Sequence, residues 1–365
     1  MTKKILKIVV TAGGTGGHVI PAYNLARHLK EKEKDVEIIS DKRGISFLKN
    51  FKDIKIIKIF SSPIIKKNFF TLFYSILVIF FSIIRSLIYL IFNRPNLVFG
   101  MGGYSSFPIC LAAKILKIPF IIYESNLLIG KVNNYLTPHA KKVFVSYKEL
   151  EGVKEKFKDK IFQTGNIIRK EIFNLKTKKN YFEKDKLKIL ILGGSQAAKI
   201  FAEKLPEIFK LCKNSEIELE IYQQCLPEQN TFLKSFYDSN QIKSEIFNFT
   251  KDVIKYFLKV DLAITRSGSS ISAELINMRI PFISVPLPSS ADDHQLKNAI
   301  FYNKKGFCYL IEEKDINLNL LKLLKDMSKN HSLLTQIIDK QSQYSDKTVY
   351  QNIDKQIEKM IDEKY

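Results

Sequence analysis

The densest chemistry in this chain lies in Thr11-Ala12-Gly13-Gly14-Thr15-Gly16-Gly17-His18, where four glycines fall within five residues ahead of a histidine. Glycine lets a backbone turn sharply and bring its N–H groups close to a ligand. The helix-like run Pro21–Lys30 that follows would add a positive N-terminus, so the loop suits an anion. It is not a Walker A loop, because no Gly-Lys-Ser/Thr follows. Nor is it a G-x-G-x-x-G fingerprint, since Thr15 stands where the second glycine should fall. Three further loops have related character: Gly100-Met101-Gly102-Gly103-Tyr104-Ser105-Ser106, Gly193-Gly194-Ser195-Gln196, and Thr265–Glu274. In the last, small hydroxyl residues at a helix start serve either as N-caps or as donors to a diphosphate. Glu274, one turn in, is able to accept from ribose hydroxyls.

These loops need rigid strands behind them. Strands are expected at Ile5–Thr11, Val36–Ser40, Ile54–Phe60, Leu97–Gly100, Phe120–Tyr123 and Lys142–Val145. A second set is expected at Lys188–Leu192, Leu219–Gln223, Ser244–Phe247, Leu262–Thr265, Phe282–Val285 and Cys308–Ile311. Helix-like stretches alternate with them, which predicts βαβ units and parallel sheet. The halves rhyme, each opening with an apolar strand that runs into a glycine turn. The reading is therefore α/β, with two Rossmann-like parallel-sheet domains facing across a cleft and every loop at a carboxyl strand end. Residues 1–166 form the first domain, 167–186 a polar linker and 187–335 the second. Residues 336–365 form a helical tail expected to pack back on the first.

At 365 residues, with 45% hydrophobic and 26% charged residues, the chain has the composition of a two-domain globular protein. Cys110, Cys212, Cys225 and Cys308 show no metal or disulfide spacing and suit a reducing compartment. No cleavable signal is read in Met1–Lys7. The net charge of +21 rests mostly on lysine, with seven arginines among 58 basic residues. It reflects lysine-rich coding, attraction to an anionic membrane leaflet, or both; nucleic acid is disfavoured because arginine is scarce and no binding motif is present. The segment Phe69–Phe92 carries one charge, Arg85, and is long enough to span a bilayer. It lies between strands of one sheet, which argues against a span and leaves an interfacial helix or a core helix. Lys66, Lys67 and Arg94 would suit anionic headgroups.

With the loops in view, the chain resembles the MurG family of peptidoglycan N-acetylglucosaminyltransferases, which have the GT-B fold and belong to glycosyltransferase family 28. The resemblance runs from about residue 8 to 310. It rests on Gly13–His18, Gly100–Pro108, Tyr123-Glu124-Ser125-Asn126, Gly165–Arg169, Gly193–Gln196, Arg266–Glu274, and Asp293-His294-Gln295 with Asn298-Ala299. It implies inverting transfer of GlcNAc from UDP-GlcNAc to the 4-hydroxyl of the muramyl sugar of lipid I, an undecaprenyl-diphosphate-linked muramyl-pentapeptide, giving lipid II. It places donor contacts on Thr15, Gly16, Gly17, Asn126, Arg169, Ser195, Thr250, Arg266, Ser269, Ser270, Ile271, Glu274, Gln295 and Asn298. Gly103 and Tyr104 fall on the acceptor side. It also places the enzyme peripherally on the cytoplasmic face of the membrane, with Phe69–Phe92 against anionic lipids, and implies no cofactor or metal. The chain departs from the family pattern at Tyr123, Ser125, Ile167, Ala197 and Ala202.

Inverting transfer needs a base for the acceptor hydroxyl and stabilisation of departing UDP. His18, at the loop tip, is the favoured base and Glu124 the alternative. Two other classes remain at this point. One is another GT-B transferase using a UDP-sugar and a lipid acceptor. The other is an NAD-dependent enzyme with Asp41 as the ribose-binding acid.

Overall fold

The structure is a computed structural model that describes residues 5–49, 51–61, 68–175 and 186–362, with the side chains of 195–198 and 361–362 outside the description. Two compact units emerge, Met1–Arg169 with Asp346–Tyr365, and Lys170–Ser345.

In the first unit, short runs of β-branched residues form strands and the intervening amphipathic runs form helices. The order is β1 (Lys7–Thr11), α1 (Gly16–Glu31), β2 (Asp35–Ser40), α2 (Lys42–Leu48), β3 (Lys55–Lys58), α3 (Phe69–Asn93), β4 (Leu97–Gly100), α4 (Phe107–Ile115), β5 (Phe120–Glu124), α5 (Lys131–Leu136), β6 (Lys142–Val145) and β7 (Ile161–Gln163). The seven strands lie in the order β3-β2-β1-β4-β5-β6-β7 with parallel pairing throughout. The order reverses between β1 and β4. A crevice at the carboxyl ends of such neighbours is where open α/β sheets bind ligands. The glycine loops after β1 and β4 sit at that point. The edge strand β7 is absent from the strands expected above, because three half-buried residues leave no periodicity to read.

The second unit runs β8 (Lys186–Leu192), α6 (Gly194–Lys213), β9 (Glu218–Gln224), α7 (Asn230–Ser239), β10 (Lys243–Phe247), α8 (Ile254–Phe257), β11 (Leu262–Thr265), α9 (Ser269–Asn277), β12 (Phe282–Ser284), α10 (His294–Lys304), β13 (Tyr309–Leu310), α11 (Ile316–Lys329) and α12 (Ser332–Ser342). Its sheet order is β10-β9-β8-β11-β12-β13, again all parallel and again reversing between its first strand and its fourth. Its core is built from Ile189, Ile191, Phe201, Phe209, Ile221 and Ile264.

The chain then returns to the first unit as α13 (Val349–Asp362). The returning segment begins at Asp346, later than the expected 336. The reason is Gln341 of α12, whose buried amide donates to Ile280 O (3.0 Å) and Phe307 O (2.9 Å) inside the second unit. Asp346 accepts from Asn166 N at 2.8 Å, Tyr350 donates to Ile168 O at 2.6 Å, and His28 Nε2 lies 2.8 Å from Asp354. Of the expected linker, residues 176–185 lie outside the described residues.

The helix α3 inverts the usual pattern of a water-soluble helix. Ser75, Ser82, Ser86 and Leu90 face inward, while Phe69, Phe70, Tyr74, Phe81 and Phe92 are each more than 60% exposed within the unit. The serine hydroxyls bond back to carbonyls one turn earlier, at 2.8 Å for Ser75, 2.7 Å for Ser82 and 2.6 Å for Ser86. That satisfies them and lets α3 approach α4 closely. A core helix would bury its phenylalanines instead, so the core alternative fails in this unit. A full span fails too, since β3 and β4 on either side of α3 share one sheet. Lys66 and Lys67 lie outside the described residues.

Candidate active site

In the first unit the loop after β1 reaches its shape through Gly14, whose φ of +80° turns its N–H inward onto Asp41 Oδ1 at 3.1 Å. As the first residues of α1, Gly16 and Gly17 have N–H groups with no intrahelical acceptor, which is the geometry that receives an anion. The loop after β4 closes against it. Gly102 and Gly103 both have positive φ, and a Cβ at Gly102 would stand 3.2 Å from His18 Cε1 and 3.4 Å from Asn133 Nδ2. The half-buried His18 ring therefore rests on bare backbone at the mouth of both loops. Tyr104 lies over Gly14, and its hydroxyl donates to Asp41 Oδ2 at 3.1 Å. Burial and the Asp41 charge both raise the Tyr104 pKa, so its proton stays in place for that bond.

Glu124 is 2% exposed at the end of β5. One oxygen accepts from Asn126 N (3.1 Å) and Asn126 Nδ2 (3.0 Å), the other from Gly130 N (3.0 Å) and Asn133 Nδ2 (2.9 Å). Four donors converging on its two oxygens favour a positioning role for this carboxylate over its candidacy as the base. It organises the 124–133 turn and places Asn126 and Asn133, and Asn133 also borders His18. Asp41 needs a similar correction: buried and bonded to the glycine loop, it has no face left for a ribose, which removes the main support for an NAD enzyme.

In the second unit, the loops after β8 and β11 sit side by side at the reversal point. Gly194 has φ +66° and open space where a Cβ would be. The backbone of Ser195 opens α6, but its side chain lies outside the described residues. After β11, Ser269 and Glu274 are buried at the start of α9, with Ser270 and Ile271 half-buried between them. Thr250 Oγ1 accepts from Asp252 N at 3.1 Å, closing the turn after β10. Gln295 Oε1 accepts from Leu287 N at 3.0 Å, which fixes the orientation of its amide.

Two of the expected donor contacts are bonded within the protein. Arg266 is 5% exposed, bonds to the Val285 and Pro286 carbonyls and to Glu313, and stacks over Phe201 at 5.0 Å. Asn298 is fully buried and donates to Ser267 O at 3.2 Å, bracing the loop from behind. Arg169 is half-buried as the last residue of the first unit. The described loops thus give two reversal points, each with glycine turns opening onto helix N-termini.

Known proteins place this pair of units. Residues 8–145 match the glycosyltransferase family 28 N-terminal domain and residues 188–356 the glycosyltransferase family 28 C-terminal domain. A Pelagibacter ubique protein is 38% identical over 85% of this chain and 86% of its own length. It is named UDP-N-acetylglucosamine--N-acetylmuramyl-(pentapeptide) pyrophosphoryl-undecaprenol N-acetylglucosamine transferase. The chain belongs to glycosyltransferase family 28. A Rickettsia canadensis protein of the same name is 33% identical over 91% of this chain and 99% of its own. The crystal structure of Acinetobacter baumannii MurG superposes with a TM-score of 0.74 at 27% identity, covering 97% of this chain and 99% of that one. The fold is accordingly GT-B, two Rossmann-like domains.

Two positions at which the chain departs from the resemblance, Tyr123 and Ile167, bond to each other. The Ile167 N–H, which a proline would lack, donates to the Tyr123 hydroxyl at 3.0 Å, and that hydroxyl also lies 2.9 Å from Ser146 Oγ.

Proposed function

We propose that this chain transfers GlcNAc from UDP-GlcNAc to the muramyl 4-hydroxyl of an undecaprenyl-diphosphate-linked muramyl-pentapeptide, forming lipid II at the cytoplasmic face of the membrane. The observation that carries this reading is sequence identity of 38% and 33% along nearly the whole chain to transferases named for that donor and acceptor. The site geometry is compatible with it. The loops after β8, β10 and β11 supply most of the donor contacts, joined by Thr15, Gly16, Gly17 and Asn126 of the first unit, with Glu274 accepting from ribose hydroxyls and Gln295 reading the sugar. The loops after β1 and β4 receive the acceptor, with Gly103 and Tyr104 on its side and His18 as the base. Ser195, Arg169 and the helix N-termini stabilise departing UDP.

Donor recognition has a direct test. UDP-GlcNAc titrates the protein calorimetrically and NADH does not, and Glu274→Ala weakens UDP-GlcNAc by about tenfold, the effect of losing a hydrogen bond to a charged group. Unchanged affinity in that variant contradicts the ribose role.

The exposed face of α3 is the surface that meets the membrane. An apolar patch of this extent marks an interaction site, and each phenylalanine removed from water contributes about 1.5–3 kcal/mol. Replacing Phe73 and Phe80 together by glutamate is expected to lower binding to phosphatidylglycerol vesicles by at least about tenfold, with the melting temperature held. Equal sedimentation of variant and parent with vesicles removes α3 from that role.

A further inference from the structure

Asp41 is the N-cap of α2, and a cap needs one bond, which Oδ1 makes to Gly44 N at 2.7 Å. The same carboxylate makes three more. Oδ1 also accepts from Gly14 N at 3.1 Å, and Oδ2 accepts from the hydroxyls of Tyr104 at 3.1 Å and Ser61 at 3.4 Å. One buried side chain thus ties together the loop after β1, the loop after β4, the start of α2 and the segment after β3. Two glycines make room for it. A Cβ at Gly13 would stand 2.6 Å from Asp41 Oδ1, and one at Gly44 3.1 Å from the same atom. The first glycine of the loop is therefore required by Ser105 and by the Asp41 carboxylate together, which leaves Gly16 and Gly17 at the tip to face a ligand. The exposed Arg43 partly offsets the rise that burial and the Asp41 charge impose on the Tyr104 hydroxyl's pKa.

We infer that Asp41 is a positioning residue for the acceptor half of the reaction, setting the loops after β1 and β4 in mutual register through Gly14 and Tyr104. The inference rests on the proposed assignment of the acceptor to these loops. Its consequence is selective: the donor contacts lie chiefly in the other unit, so losing this grip disturbs acceptor use far more than UDP-GlcNAc binding. A cap with no further role would give the opposite pattern, a lower melting temperature with the kinetic constants of the folded fraction intact.

The test uses the full chain with Asp41→Asn, Tyr104→Phe and the double variant. Asparagine keeps an acceptor oxygen for Gly14 and Gly44 but replaces Oδ2 with a donor. The expected result is a fall in kcat/KM for a lipid I analogue of about ten- to hundredfold in each single variant, as for loss of a hydrogen bond to a charged group. The double variant should be little worse than either single one, because both remove the same contact. The calorimetric dissociation constant for UDP-GlcNAc should rise by no more than about threefold, well short of the acceptor effect, which also reports that the chain is folded. Acceptor kcat/KM within twofold of the parent in both single variants overturns the inference, as does weakening of UDP-GlcNAc in step with the acceptor. Should Asp41→Asn fail to fold, Ser61→Ala with Tyr104→Phe decides, since Ser61 is outside the acceptor side, donates to the same Oδ2 and leaves the α2 cap untouched. A Ser61→Ala, Tyr104→Phe variant no worse than Tyr104→Phe overturns the inference. A parent protein that shows no transfer to the analogue counts against the proposed function itself.

Discussion

Replacing His18 by alanine is expected to lower kcat for GlcNAc transfer by about 10²–10⁴-fold, the range that a positioned general base contributes. The UDP-GlcNAc dissociation constant should not change, because donor contacts lie chiefly in the second unit. His18 sits at the start of α1, against Gly102 and Gly103, whose missing side chains leave its ring a bare surface to rest on. The ring is only half-buried, so it can reach a hydroxyl brought to the mouth of the loops. A residue that merely contacts phosphate or backbone would raise KM and spare kcat. Steady-state kcat and kcat/KM across pH separate the two roles. A base shows an acidic limb in the profile that disappears in the variant. A variant with most of its kcat/KM at every pH removes His18 as the base.

The second large effect is on stability. Glu124→Ala leaves four donors facing a cavity: the backbone N–H groups of Asn126 and Gly130, and the side-chain amides of Asn126 and Asn133. Breaking a buried, charged hydrogen-bond set from one side costs about 3–5 kcal/mol, which for a unit of this size lowers the melting temperature by roughly 10 °C. Glu124→Gln, which retains one acceptor oxygen, should fall between. Scanning calorimetry of the two variants checks this. Full thermal stability combined with abolished kcat would return Glu124 to candidacy as the base.

These two residues show what was legible in the sequence. The rhyme of Ile8–Gly14 with Ile189–Gly194 announced the repeated fold, because a strand running into glycines needs no distant partner to be recognised. The loops after β1, β4, β8 and β11 all fell where the spacing put them. The roles inside the loops were harder. Arg266 falls among the donor contacts by the resemblance, yet its partner Glu313 is 47 residues away and invisible to local pattern. Asp41 reads as a ribose acid by its distance past β2, and only the inward N–H of Gly14 shows that it holds the loop. Glu124 was more readable in principle, since its donors lie within ten residues, but nothing in a sequence says that they converge. In α3, hydropathy signalled an unusual helix and the serines looked incidental. The structure shows them forming the inner face, which leaves the phenylalanines outward.

The most direct test of the central claim is to incubate radiolabelled UDP-GlcNAc with the full chain, with and without a lipid I analogue, and to follow label into the lipid phase. The expected result is label in the lipid product only when the acceptor is present, with one UDP released per GlcNAc transferred. Label that never enters the lipid phase, or UDP-GlcNAc converted equally well without the acceptor, contradicts the account.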